Sequence, residues 1–548
     1  MSAWTPVCTL EDILPQTGVC ALVNGRQIAV FRIDDAVFAT DNIDPASGVS
    51  VLSRGIVGDV KGERVVASPL YKHRYSLATG RCVEDPDMSV DVHPVRVLDG
   101  RVWVRCEAAN DRLVMSEQAS APEVGLGELR GTEAARPERR KLVVVGNGMA
   151  GMRTVEELLR LAPEAYDITV FGTEPHGNYN RILLSPVLSG EQRVEDIILH
   201  DREWYAEHRI ALHCGDPVIE IDRRRRTIRS RKGVEVAYDR LLLATGSTPI
   251  VLPVPGSDLP GVLTFRDLAD VEAMLAASRQ YRKAAVVGGG LLGLEAAHAL
   301  LRRGMDVTVA HLLPTLMERQ LDAPAAMLLK ASLESRGLKF RMSARTVAVL
   351  GEERATGLRL DDGTEIPADL IVMAAGVRPN IELARRAGLR CERGVLVDDT
   401  LQTFDPSIYA VGECVQHRNS IFGLVAPLWD QARVCATHLA ELGVSRYRGA
   451  MTAAQLKVTG IEIYSAGDFA GSEGGESLVL RDHRQGIYKR LVVRNNRLCG
   501  TVLYGDTRHG PWYLELMASG ADIGPLREQL LFGPATASLD GPAAAASG

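Results

Sequence analysis

Two short glycine-rich runs have the residue types and spacing to do chemistry. The first, Gly146-Asn147-Gly148-Met149-Ala150-Gly151, follows the apolar run Lys141-Leu142-Val143-Val144-Val145 and precedes a helical segment, Met152 to Leu161. The second, Gly288-Gly289-Gly290-Leu291-Leu292-Gly293, lies between the apolar run Lys283 to Val287 and a helical segment reaching Arg303. In this G-x-G-x-x-G spacing the first glycine (Gly146, Gly288) permits the tight turn out of a strand. The second (Gly148, Gly290) lets the backbone approach a pyrophosphate, and the third (Gly151, Gly293) allows a helix to pack closely on the strand with its N-terminus toward the anion. The chemistry implied is the binding of two dinucleotides. A lone fingerprint is weak, because glycine turns join strands to helices in many folds; the flanking strand and helix make it specific. After the first run, a second strand, Ile168 to Phe171, leads to Glu174, about 23 residues past Gly151 and close to the spacing of a ribose-binding carboxylate. After the second run, the strand Asp306 to Ala310 ends at His311. A carboxylate there would favour NAD and an arginine NADP, so the preference stays open. Arg302, Arg303 and Arg319 are near in sequence and read as exposed helix or loop charges.

The cysteines remove chemistry rather than add it. Cys8, Cys20, Cys82, Cys106, Cys214, Cys391, Cys414, Cys435 and Cys499 are scattered with no C-x-x-C pair. Iron-sulfur and structural zinc sites gather several thiolates, usually with pairs a few residues apart, so neither is signalled.

The elements that must position these groups follow from pattern. Residues 1–106 show short apolar runs such as Ala29-Val30-Phe31, Val37-Phe38-Ala39 and Val102-Trp103-Val104, set off by Asn24-Gly25, Asp34-Asp35 and Asp99-Gly100. That spacing predicts a small all-β sandwich or barrel. From 107 to 140 the composition turns to Ala, Glu, Pro, Gly and Arg with poor periodicity, which suits a linker. From Lys141 to about Leu442 strands alternate with helical segments, predicting parallel sheets with crossover helices and two Rossmann-type units. Asp222-Arg223-Arg224-Arg225-Arg226, between two short strand-like runs, reads as a solvated hairpin turn. Past Arg446 strand-like runs return (Ile461 to Tyr464, Tyr488 to Val493, Cys499 to Tyr504), then a helical end near Leu514 to Leu531, predicting a small α+β domain. The tail 535–548 should fray.

A formal net charge of -6 gives no general attraction to nucleic acid or anionic membranes. The stretch Ala284 to Leu301 contains Glu295, His298 and four glycines and so does not read as a membrane span. No secretory signal is visible in Met1 to Pro15, so the expected location is the cytoplasm.

With both fingerprints placed, other segments become informative. Leu241-Leu242-Leu243-Ala244-Thr245-Gly246-Ser247, Ala374-Ala375-Gly376-Val377-Arg378-Pro379-Asn380 and Ile408-Tyr409-Ala410-Val411-Gly412-Glu413-Cys414 resemble segments of two-dinucleotide, pyridine nucleotide-linked flavoproteins. The first two resemble the passages between the nucleotide domains, and the third the late motif whose acid hydrogen-bonds the flavin's ribityl chain. The resemblance implies FAD at the first site and NAD(P)H at the second. It adds Met149, Ala150, Leu291, Leu292, Ala244, Thr245, Gly246, Gly376, Gly412 and Glu413 to the cofactor-binding set. Glu413 is one methylene longer than the family's usual Asp.

Within that family the chain resembles the flavin-bearing part of the large subunit of assimilatory NAD(P)H nitrite reductase. Gly177-Asn178-Tyr179-Asn180-Arg181-Ile182-Leu183-Leu184-Ser185-Pro186 and His311-Leu312-Leu313-Pro314-Thr315-Leu316-Met317-Glu318-Arg319-Gln320-Leu321-Asp322 carry the likeness. It implies Arg181 beside the FAD and Glu295 on the nicotinamide side; Pro186 stands where related ferredoxin reductases often have a lysine. The C-x-x-x-x-C dithiol of glutathione-reductase chemistry is missing between Phe171 and Gly190, which disfavours disulfide reduction. The likeness runs to about Leu531, with no cysteine-rich iron-sulfur module and no sirohaem module.

The N-terminal domain resembles the same reductases' small subunit, a Rieske-like β domain. Where the cluster ligands should fall the chain reads Asn42-Ile43-Asp44 and Leu70-Tyr71-Lys72-His73, and only His73 is of ligand type. No cluster and no other metal is expected.

The expected architecture is therefore multidomain α/β: a Rieske-like domain (1–106), linker (107–140), FAD-binding parts (141–255 and 365–445) around an NAD(P)-binding part (256–364), a C-terminal α+β domain (446–534) and a tail (535–548). The expected function is an NAD(P)H oxidoreductase that gives electrons to a separate redox protein, a nitrate or nitrite reductase catalytic subunit. No catalytic side chain is assigned. The alternatives are a general ferredoxin or rubredoxin reductase and a nucleotide-responsive scaffold with structural FAD.

Overall fold

The first glycine turn follows the central strand of a five-stranded parallel sheet ordered Ala211–His213, Tyr166–Phe171, Arg140–Val145, Arg240–Leu243, Ile408–Ala410. Leu142, Val143, Val144 and Val145 are all buried, although alternate residues point to opposite faces. Both faces of the sheet are therefore covered, which is why the run is continuously apolar rather than alternating. The second turn follows the central strand of an equivalent parallel sheet ordered Val262–Thr264, Leu370–Met373, Lys283–Val287, Asp306–Ala310, Lys339–Arg341. Each unit also carries a three-stranded antiparallel insert, Val218–Asp222 to Glu235–Ala237 in the first and Thr346–Gly351 to Glu365–Pro367 in the second. The two units are thus one Rossmann-type plan used twice.

This computed structural model describes residues 4–106 and 139–534, apart from loop positions 14, 25, 35, 47–48, 61, 70–71, 444, 450–452, 459–460 and 472–473. The expected linker, except for its last two residues, and the expected tail lie outside the described residues, as do Leu70 and Tyr71.

The first fingerprint helix is Met149–Leu161, beginning three residues before the expected Met152 because the last residues of the glycine run form its first turn. Met152, Val155 and Leu158 are buried along one face, where this helix meets helix Val425–Leu439. The second fingerprint helix is Leu291–Arg302. The two expected passages pair with each other: Ser247–Pro249 and Val377–Pro379 form a two-stranded antiparallel ribbon. Thr245 Oγ1 donates to the Asn380 carbonyl at 2.8 Å, and Asn380 Nδ2 donates to the Thr245 carbonyl at 2.9 Å, so both crossings are pinned together.

The arginine run is the expected hairpin turn. Asp222 pairs with Thr227 across it, and Asp222 Oδ1 accepts from the backbone N–H of Arg224 and Arg225, each at 2.9 Å.

The N-terminal domain is all-β apart from short 3-10 turns. Its four-stranded sheet (Val92–His93, Ala36–Asp41, Arg26–Ile33, Thr17–Val23) and two three-stranded sheets enclose Ile28, Val30, Phe31, Val66, Tyr75 and Val104. The C-terminal domain is a five-stranded antiparallel sheet ordered Ala453–Val458, Ile461–Gly467, Arg497–Tyr504, Ile487–Arg494, Glu476–Asp482, with helix Gly510–Ser519 on it. That helix stops earlier than expected, because Gly520 takes a left-handed conformation (φ 61°) that ends it; 3-10 turns at Gly524–Leu526 and Leu530–Phe532 follow. The domain packs on the second Rossmann-type unit: Ile461, Ile463, Tyr488 and Val502 join that unit's core.

Candidate cofactor cleft

Gly146 and Gly288 sit at φ 117° and 122°, where a side chain is strained, and a Cβ would lie 2.1 Å from the Ala244 carbonyl oxygen and 2.3 Å from that of Ala374. Both positions must be glycine. Gly148 and Gly290 differ in kind: a Cβ there would meet nothing within 4 Å, so the space in front of each is open. Each is also the N-cap of its helix and makes no side-chain cap, leaving the first-turn N–H donors exposed to the cleft end. Gly151 and Gly293 lie behind, each against the carbonyl of its own turn's first glycine (2.8 and 2.1 Å from a Cβ), which closes helix onto strand. Open space in front of an uncapped helix start is what a pyrophosphate needs, and both turns provide it.

Side chains from distant segments brace these turns, and sequence reasoning missed them. Tyr205 Oη donates to Asn147 Oδ1 at 2.6 Å and Asn178 Nδ2 donates to the Asn147 carbonyl at 3.0 Å. Burial pushes the Tyr205 hydroxyl up to about 12, so it stays a proton donor. In the second turn, Gly289 N–H donates to His311 Nδ1 at 2.9 Å, while Nε2 lies 3.0 Å from the Thr315 carbonyl and 3.3 Å from Glu318 Oε2. Those contacts assign the proton to Nε2. The imidazole at the nucleotide-selecting position therefore braces the loop, with both ring nitrogens engaged.

The first turn and the start of the second fingerprint helix line one cleft of about 680 Å³. Of the expected residues, Gly146, Gly148, Met149, Ala150, Glu174, Arg181, Ala244, Thr245, Gly246, Leu291, Leu292, Glu295, Gly412 and Glu413 line it. Gly151, Gly288, Gly290, Gly293 and Gly376 are not among the lining residues. Gly376 belongs to the crossing ribbon, where its carbonyl accepts from Ile250 N at 2.9 Å.

Three polar groupings stand in the cleft. Glu174 is held by the Arg181 guanidinium and by Tyr179 Oη at 2.6 Å, so the expected ribose carboxylate and the expected flavin-side arginine are partners. Ser185 Oγ donates to Glu295 Oε2 at 3.0 Å, joining the first unit to the second fingerprint helix. Glu413 Oε2 accepts from Ser247 Oγ at 2.9 Å and from the guanidinium of Arg266, a residue no sequence motif had singled out. No cysteine appears among the described lining residues. Cys414, next to Glu413, is buried with its Sγ 3.3 Å from the Val411 carbonyl, and burial pushes its thiol up, which suppresses thiolate chemistry.

In the N-terminal domain the residues at the first pair of cluster-ligand positions are committed elsewhere. Asn42 Nδ2 lies 3.3 Å from Cys20 Sγ and Asn42 Oδ1 accepts from Ser53 N at 2.8 Å. Buried Asp44 accepts from Tyr75 Oη at 2.8 Å and from Ser68 Oγ at 2.6 Å. An amide and an acceptor carboxylate stand where a Rieske centre needs cysteine and histidine, so the donor set does not fit a [2Fe–2S] cluster. Among the described residues no group of three or more His, Cys, Asp or Glu could hold a metal ion.

Two glycine turns of the same plan, with a cleft between their units, define an oxidoreductase class in which a nucleotide cofactor and a pyridine nucleotide meet between two Rossmann-type units. The chain belongs to the pyridine nucleotide-disulphide oxidoreductase family, whose description matches residues 140–438. Membership implies FAD and NAD(P)H as cofactors. Residues 3–105 match the Rieske-like [2Fe-2S] domain and residues 453–521 the rubredoxin NAD+ reductase C-terminal domain.

Among curated proteins, the chain is 50% identical over 385 residues to a nitrite reductase [NAD(P)H] of Bacillus subtilis, covering 70% of this chain and 48% of that one. It is 43% identical over 394 residues to the assimilatory nitrate reductase electron transfer subunit of the same organism, covering 72% and 51%. The chain thus spans about half the length of these relatives. A rubredoxin-NAD(+) reductase of Ectopseudomonas oleovorans is 34% identical over 315 residues, covering 57% of this chain and 81% of that protein. Among solved structures, the covalent putidaredoxin reductase-putidaredoxin complex aligns with a TM-score of 0.65 at 25% identity, covering 73% of this chain and 99% of that one. No helix among the described residues is long and apolar enough to cross a membrane.

Proposed function

We propose that the chain is an FAD-dependent NAD(P)H oxidoreductase that passes electrons to a separate redox protein, as the electron-donating component of an assimilatory nitrate or nitrite reductase system. The observation that carries this reading is one cleft lined both by the first glycine turn and by Leu291, Leu292 and Glu295 at the start of the second fingerprint helix, with no thiol among its described lining residues. FAD and NAD(P)H together supply two-electron hydride chemistry and one-electron release. The protein's task is to place them. Gly148 and Gly290 leave room for the phosphates, the uncapped helix starts supply N–H donors, and Glu295, held by Ser185, faces the second cradle's side of the cleft. Positioning of this kind is worth about 7 to 11 kcal/mol of a barrier, so no catalytic acid is needed for hydride transfer.

The partner assignment is supported by the relative whose name makes it a nitrate reductase electron transfer subunit. On this reading the N-terminal domain carries no cluster, since Asn42 and Asp44 replace ligands with buried hydrogen bonds, and it serves in docking or structure. The reading divides the chain as the sequence does: 1–106, 107–140, 141–255, 256–364, 365–445, 446–534 and 535–548. It places the protein in the cytoplasm, with neither nucleic acid nor membrane as a partner. A second reading, a rubredoxin- or ferredoxin-type reductase, is favoured by the match at residues 453–521. The test is the purified protein: it should be yellow, oxidise NADH or NADPH with ferricyanide, and reduce nitrate or nitrite only once a metal-bearing subunit is added. Unaided nitrite turnover would overturn the partner assignment, and a preference for rubredoxin over such a subunit would favour the second reading.

A further inference from the structure

Arg266 enters the cleft from the second Rossmann-type unit, between strand Val262–Thr264 and helix Leu268–Gln280, whereas Glu413 belongs to the first unit. Its backbone is fixed on both sides: its N–H donates to Asp270 Oδ2 at 2.7 Å and its carbonyl accepts from Arg181 Nη1 at 3.0 Å. The guanidinium reaches across to Glu413 Oε2, and both side chains are largely buried, 18% and 15% exposed. Ser247 Oγ approaches the same oxygen at 2.9 Å. Both donors thus converge on Oε2, and among the described residues no hydrogen bond is made to Oε1. A glutamate has one more rotatable bond than an aspartate, so a bare Glu413 would spread its carboxylate over several rotamers. Two donors on one oxygen restrict that freedom, and on a residue that lines the cleft they leave Oε1 available to a further donor.

We propose that Arg266, with Ser247, is a positioning residue that orients Glu413 so that Oε1 accepts from a hydroxyl of the flavin's ribityl chain. This inference rests on the proposed binding of FAD in the cleft. The seat of the flavin is then built jointly by both units, and the added methylene of Glu413 is the length needed to meet an arginine from the neighbouring unit.

The test uses the full-length protein and measures FAD affinity by reconstitution of flavin-stripped protein, alongside the visible flavin spectrum. Arg266→Ala should weaken FAD binding about 10- to 100-fold, as expected for a lost charged hydrogen bond. Glu413→Gln should do the same, and R266A/E413Q should be no weaker than E413Q alone, because Arg266 acts through Glu413. Millimolar ethylguanidinium should restore affinity to R266A and not to R266A/E413Q, and R266K should retain part of it, a pattern that a merely structural arginine would not give. Should R266A fail to fold, S247A removes the other donor from the same oxygen and should weaken FAD in the E413 background only. The proposal is overturned if R266A or S247A binds FAD as tightly as the unaltered protein, if the double variant loses the product of both single effects, or if ethylguanidinium rescues in the absence of Glu413. Unaltered protein that takes up no FAD would instead refute the functional reading itself.

Discussion

At the scale of single residues, the glycines of each turn divide by what a methyl group would meet. At Gly148 and Gly290 it would meet nothing in the protein, yet it would stand where the phosphates must approach. Gly148→Ala should therefore fold with stability within about 1 kcal/mol of the unaltered protein while losing flavin. Gly290→Ala should keep its flavin and raise the KM for NAD(P)H about tenfold, the effect of overfilling a close contact. Thermal melts, flavin content and steady-state kinetics on the pair would check this; equal loss of flavin in both would contradict the assignment of one nucleotide to each turn. These glycines were legible in the sequence because only glycine satisfies the backbone at Gly146 and Gly288. Arg266, Tyr205 and the bracing role of His311 were not. Arg266 lies 147 residues from Glu413 and Tyr205 lies 58 from Asn147, so their meaning exists only once the sheets bring the segments together. His311 was visible at the right position, but nothing in its type said that Gly289 would occupy its Nδ1.

At the scale of elements, the continuous apolar runs announced the central strands, and the alternation with helices announced parallel sheets. The antiparallel pairing of Ser247–Pro249 with Val377–Pro379 had no sequence signal, because each segment is short and reads as a loop by itself. At the junction with the C-terminal domain, one side chain has two duties beside the shared apolar core. Asp322 caps helix Ala323–Ser335, with Oδ1 accepting from Ala325 N at 3.2 Å, while Oδ2 accepts from Tyr488 Oη at 2.5 Å and lies 3.3 Å from Arg490. Asp322→Ala should cost about 2 to 4 kcal/mol, the sum of a lost cap and a lost charged hydrogen bond, read in a denaturant melt. A change below about 0.5 kcal/mol would mean the junction is held by the apolar contacts alone.

At the scale of the whole molecule, the C-terminal domain carries a buried ion pair through which pH should affect it. In the C-terminal domain the Arg508 hydrogen bond, followed by the Lys489 ion pair, holds Asp506 well below the usual carboxylate range against the effect of burial. A carboxyl depressed in the folded state contributes stability that is present above its unfolded value, near 4, and is lost as pH falls through its folded value. Acid should therefore destabilise this domain progressively below about pH 4. Asp506→Asn should flatten that dependence, and at neutral pH it should cost about 3 kcal/mol by leaving Lys489, 6% exposed, without its partner. An unchanged acid limb in the variant would contradict the ion pair's role. The overall division into a β domain, two Rossmann-type units and a smaller end domain was legible from pattern and likeness. Which face of each domain meets its neighbours was not, since those contacts rest on side chains such as Tyr488 and Asp322 that carry no motif.

Function here requires that a flavin and a nicotinamide be held against each other between the two Rossmann-type units. Anaerobic titration of the purified full-length protein with NADH and with NADPH, followed through the flavin absorption bands, tests it most directly. The protein should be yellow, with bands that bleach after about one equivalent of at least one of the two nucleotides. A colourless protein that takes up no FAD, or bound flavin that stays oxidised in excess of both nucleotides, would contradict it.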